Sequence, residues 1–85
     1  MKPARTPLSL SPRHGQLIAA WANGDSNWLI AEDLGLSHHT IVAHSDRLFR
    51  FLDVHTQARA VAVAIEQGII HRPGKAWVPR DKWWV

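Results

Sequence analysis

Apolar residues recur at helical spacing in four stretches of this chain, each opened by a capping residue and closed by a breaker. Leu17, Ile18, Trp21 and Ala22 follow Ser11-Pro12 and precede Asn23-Gly24, which predicts a first helix over about 12–23. Ser26 caps a second, two-turn segment, Asn27 to Leu34, whose inward face is Ile30, Ala31 and Leu34 and whose stop is Gly35. Ser37 caps the third and longest. Its stripe of Thr40, Ile41, His44, Leu48 and Leu52 runs through about 38–52 until Asp53 interrupts it. Thr56 caps a fourth helix, Gln57 to Gln67, ended by Gly68, with Val61, Ala64 and Ile65 expected inward and Ala62 and Val63 outward. No segment reads as a strand. The fold class is all-α, with a Trp-rich extension at the C-terminal end.

A chain of 85 residues is enough for one small domain. Cysteine is absent, so neither a disulfide nor a thiolate metal site supports the fold. The apolar runs fall far short of the roughly 20 residues that cross a bilayer, and the Pro-rich start leads into no signal-peptide core. A cytoplasmic protein of bacterial or phage origin is expected. The charge distribution says more than the net value of +3. Residues 1–13 carry Lys2, Arg5 and Arg13 with no acid, and residues 71–85 carry Arg72, Lys75, Arg80 and Lys82 against Asp81 alone. Between them Arg47, Arg50 and Arg59 face six acids, so basic ends flank an acidic body.

The second helix, Gly35-Leu36-Ser37 and the third helix have the form of a helix-turn-helix, two helices joined by a short Gly-containing turn. That pattern alone is shared with many helical bundles. Further motifs narrow it: Leu10-Ser11-Pro12-Arg13, Ala22-Asn23-Gly24-Asp25-Ser26-Asn27, Ile30-Ala31, Leu34-Gly35-Leu36-Ser37, His39-Thr40-Ile41-Val42-Ala43-His44, Arg47-Leu48-Phe49-Arg50, Leu52-Asp53-Val54, Ala60-Val61-Ala62-Val63-Ala64 and Gly68-Ile69-Ile70. Together they resemble the LuxR-type helix-turn-helix DNA-binding domain, without a gap from residue 10 to 70. The resemblance implies a free-standing transcriptional regulator that binds double-stranded DNA at a two-fold operator as a homodimer. Helix three enters the major groove, helix two braces it across the backbone and helix four pairs two copies. Carried over by position, Val42, Ala43 and Asp46 face base edges, while Asn27, Trp28, His39, Thr40 and Arg47 lie near phosphates. His38 and Arg50 join the DNA-binding set, and Arg59, Ala62, Val63 and Glu66 form the dimer contact. The domain organisation that follows is a basic arm over 1–9, the DNA-binding domain over 10–70 and a basic extension over 71–85.

Several positions depart from the family pattern. Val42 replaces a usual Lys or Arg, Asp46 a usual polar or basic residue, and Trp28-Leu29 a usual Lys-Glu, which weakens the phosphate attraction of the body. Asp46 can instead accept from cytosine N4, and Val42 and Ala43 can touch thymine methyls. His14 replaces a glutamate that would complete a capping box with Ser11, and Asp53 replaces a usual glycine, which implies a positive φ that Asp tolerates better than most residues. These changes keep a second reading open: a protein-interaction module on the same scaffold with reduced or lost DNA binding.

Six histidines raise the question of a metal, but His38, His39 and His44 lack the i, i+4 pairing that would converge two rings, and neither metal nor cofactor is expected. On its apolar stripe, His44 suits a buried hydrogen bond, whereas His38 and His39 suit phosphate or water. Phosphate loops, HExxH and a cysteine nucleophile are all missing, which argues against an enzyme. The tail over 77–85 holds three of the five tryptophans. That much aromatic surface predicts either that the tail folds back on the body near Trp28 or Leu29, or that it engages DNA or a protein partner.

Overall fold

A computed structural model describes residues 12–80. Four helices occur in the predicted order: α1 (Pro12–Ala22), α2 (Asn27–Leu34), α3 (His38–Leu52) and α4 (Gln57–Glu66). Their ends are set by local chemistry. The Ser26, Ser37 and Thr56 hydroxyls accept from the amides of Leu29, Thr40 and Arg59 at 3.2, 3.0 and 3.1 Å. Each such cap contributes about 1 kcal/mol. Ser11, the expected cap of α1, lies outside the described residues. At the other ends Gly35 (φ 70°) stops α2 and Asp53 (φ 57°) stops α3 in the left-handed region. Asp53 is the one described non-glycine residue with positive φ, as the resemblance implies for its position.

The helices bury one shared core. Leu17 and Ile18 of α1, Ile30 of α2, Ile41 and Leu48 of α3, and Ile70 beyond α4 are its large, fully buried side chains. Ala60 and Ala64, both at 0% exposure, let α4 lie close against the bundle, since a methyl keeps helix axes near the short end of their packing range. This shifts the face of α4 from the one predicted. Ala64 is inward as expected, but Ile65 is 42% exposed and Val63 is half-buried against the core. The expected face ran through Val61, Ala64 and Ile65, whereas the packed face is centred on Ala60 and Ala64, with Val61 and Val63 partly buried beside them.

The chain also forms strands where none was predicted. Ile70–His71 (β1) pairs antiparallel with Val78–Pro79 (β2), Ile70 opposite Pro79 and His71 opposite Val78. Pro73-Gly74 in the intervening turn reverses the chain. Strands of two residues are too short to show alternation, which is why the pattern missed them. The hairpin packs on α1 and is fixed by polar contacts: Asn23 Oδ1 accepts from Trp77 N at 2.7 Å, Asn23 Nδ2 donates to Trp77 O at 3.0 Å, and Arg80 Nε donates to Gly68 O at 2.9 Å. Trp77 is partly buried against the core, with the Arg72 guanidinium 5.2 Å above its ring. The tail thus folds back over its described portion, onto α1 instead of Trp28 or Leu29. Trp83 and Trp84 lie outside the described residues.

Candidate nucleic-acid interface

The turn between α2 and α3 sets the angle of the presented helix. The Gly35 amide donates to the carbonyls of Ala31 and Glu32, and Leu36 N donates to Ala31 O at 2.9 Å, closing α2 without a side-chain clash. Ser37 then starts α3 two residues later. Its hydroxyl also pairs with the Thr40 hydroxyl at 2.8 Å, so half-buried Thr40 serves the cap with its oxygen. Leu36 sits immediately before the cap and packs on the core, the position from which an apolar side chain fixes the entry of a helix.

Helix α3 is two-faced. Ile41, Ser45 and Leu48 are buried, and the Ser45 hydroxyl is satisfied by donating to Ile41 O at 2.9 Å. On the opposite face His39, Val42, Ala43, Asp46, Arg47 and Arg50 are exposed, brought together by their three- and four-residue spacing. Of the residues predicted to face DNA, these six therefore share one surface. His38 and Trp28 flank it: the rings stack at 3.7 Å with 7° between planes, and Trp28 is 69% exposed. Stacking gives His38 a partner that its expected phosphate or water role did not include. Asn27 is turned partly inward, where its Oδ1 accepts from the buried Trp21 Nε1 at 2.7 Å and ties the first turn of α2 to α1.

Behind the exposed face lies a histidine pair. His14 of α1 and His44 of α3 meet edge to face with ring centroids 5.0 Å apart. His14 is 4% exposed, a core residue and more than a substituted capping position. His44 is half-buried, and its ring contact with His14 ties α3 to α1. Burial, then His44 and Arg47 nearby, hold the His14 pKa down to about 4. The His44 pKa is lowered in the same way, by burial first and then by Arg13 and Arg47. Neutral imidazoles are thus favoured where α1 supports α3.

At the far end of α3 an open groove of about 480 Å³ runs between Asp46, Arg50 and His55. His55 was not among the sequence-predicted residues. Of the predicted dimer residues, Arg59, Ala62 and Glu66 are exposed together on α4 and Ile65 joins them, while Val63 turns partly inward. Among the described residues no group of three metal-ligating side chains converges, and no helix is long and apolar enough to cross a membrane.

A short bracing helix, a glycine turn and a longer helix with one solvent-facing polar side define a helix-turn-helix module of the DNA-binding class. Residues 8–64 match the family described as bacterial regulatory proteins, luxR family. The chain belongs to that family. A probable transcriptional regulatory protein, SgaR, of Hyphomicrobium methylovorum is 40% identical over 57 residues, 67% of this chain and 27% of that protein. The chain thus corresponds to about a quarter of that relative's length. No solved structure matches it. The hairpin lies beyond the matched residues.

Proposed function

We propose that this chain is a sequence-specific, DNA-binding transcriptional regulator, acting in the cytoplasm, that seats α3 in the major groove of a two-fold operator as a homodimer. The observation that carries this reading is the exposed α3 face, held outward by the buried Ile41, Ser45 and Leu48 and flanked by the start of α2. Base edges are met by Val42, Ala43 and Asp46, and phosphates by His39, Arg47 and Arg50. A titration against duplex DNA over a range of salt tests it. Arg47→Ala weakens binding to all sequences alike and flattens the salt slope by about one phosphate contact, whereas substitutions at Val42 or Asp46 change which sequence is preferred. Undetectable affinity at low salt refutes the reading.

The second copy is assigned to α4. Ala62 and Ile65 form a small apolar surface that Arg59 and Glu66 rim, a geometry suited to close helix pairing across a two-fold axis. Two half-sites at the correct spacing therefore bind cooperatively, and Ala62→Glu abolishes the cooperativity while leaving half-site affinity in place. Independent filling of the half-sites by the unaltered chain counts against pairing through α4. The competing interaction-module reading draws on Trp28 and Leu29, at 69% and 42% exposure. It predicts a flat response in the DNA titration.

A further inference from the structure

We infer that the first half of the exposed α3 face recognises the 5-methyl group of a pyrimidine, in unmodified DNA thymine, through a carbon surface built from Val42 and Ala43 and walled by the Trp28–His38 stack. The inference rests on the reading of α3 as the helix that enters the groove. Val42 is 37% exposed and Ala43 is exposed, and neither carries a side-chain donor or acceptor. Such side chains cannot pair with the N7, O6, O4, N6 or N4 groups that distinguish bases in the major groove. The one base-edge feature there that rewards carbon is the thymine methyl.

The surroundings of Val42 strengthen that assignment. His38 stands one turn before Val42 on the same side of α3, and the Trp28 ring lies flat on it at 3.7 Å. Trp28, Leu29 and Val42 are three of the large apolar residues that the free protein leaves exposed, and all belong to the α2–α3 unit. In helix-turn-helix docking the first helix crosses the backbone while the start of the second contacts base edges. This arrangement sets the Trp28 ring beside deoxyribose and leaves Val42 against a base, with the stack excluding water from one side of the contact. Apart from His39, placed on phosphate, the polar side chains of the face begin one turn later with Asp46, Arg47 and Arg50. The face is therefore divided along its length, carbon at the start and charge towards the end.

Selection of binding sites from a random duplex pool, followed by base-analogue substitution in the selected site, tests the inference. Deoxyuridine in place of thymidine removes the methyl and leaves pairing unchanged. The expected result is an affinity loss of about fourfold at one or two thymines per half-site, the effect of one buried methyl. A cytosine substituted at the same position loses affinity and 5-methylcytosine recovers part of it, since the two methyl groups occupy the same place in the groove. Val42→Ala reduces the thymine-to-uracil ratio below about twofold, and Trp28→Ala, acting on the positioning of the contact, reduces it less. A selected site that tolerates uracil everywhere overturns the inference and leaves the regulator reading intact. So does an unchanged ratio in Val42→Ala. A pool that yields no enriched sequence refutes the regulator reading itself, and this inference with it.

Discussion

Truncation after Ala76 lowers the melting temperature by roughly 8–16 °C while nearly all helical content remains. The described residues removed are Trp77 to Arg80, which supply one partly buried indole, the β2 half of the hairpin, both hydrogen bonds to Asn23 and the Arg80 contacts to Ile69 O and Gly68 O. Partial burial of one indole contributes about 1–2 kcal/mol and each hydrogen bond a net contribution of about 1 kcal/mol, against roughly 1 kcal/mol of backbone entropy for each of the residues ordered. A net loss of about 2 kcal/mol corresponds to roughly 8–16 °C in a domain of this size. Helical content survives because caps and the four-helix core lie elsewhere. Circular dichroism melts of the full and shortened chains check this, and Asn23→Ala reproduces part of the shift without removing any tryptophan. Equal melting temperatures, with freely exchanging amides over 77–80, contradict the packing described. The hairpin lies outside residues 8–64, which match the family.

Acidification between pH 6.5 and about 4 destabilises the domain through His14. Its folded pKa is about 4, against 6.5 for the ordinary imidazole, so in this window the unfolded chain binds a proton that the native state excludes. Stability therefore rises with pH across the window. The contribution is fully present above pH 6.5, falls as pH drops and levels off below about 4, where both states are protonated at this site. The difference of 6.5 minus about 4 amounts to roughly 3 kcal/mol at its full extent. His44 acts in the same direction, because its pKa is also lowered by burial and by the arginines Arg13 and Arg47. Denaturant unfolding at a series of pH values measures the slope. His14→Gln removes the titrating group while keeping a polar side chain, so the variant's stability changes less between pH 6.5 and 4 than that of the unaltered chain. Parallel curves for the two proteins contradict the assignment. Protonation of His14 also places positive charge near Arg47, where α1 meets α3.

The order and ends of the helices were legible in the sequence, because caps and breakers act locally. Ser26, Ser37 and Thr56 satisfy amides three residues away, and Gly35 and Asp53 adopt the left-handed conformation within one turn. Such interactions need no knowledge of the rest of the chain. The exposed face of α3 was legible for a related reason. Once α3 is a helix with Ile41 and Leu48 inside, spacing alone sends Val42, Ala43, Asp46, Arg47 and Arg50 to the other side.

Contacts between elements were decided by the tertiary structure. Ile65 and Val63 could not be assigned from the period of α4, because either face is apolar and the choice falls to how closely Ala60 and Ala64 allow the helix to approach. His14 reads as a lost cap until α1 and α3 are brought together, when it becomes a buried partner of His44 with a depressed pKa. Trp28 reads as surplus to the core, and its stack on His38 exists only because Gly35 and Ser37 fold α2 back beside α3. Asn23 reads as part of a helix stop, yet it holds Trp77, 54 residues further along the chain. A sequence specifies local hydrogen bonding directly because the partners are neighbours. Pairings across the fold depend on which surfaces the packed helices leave free, and that is settled only when the whole core forms.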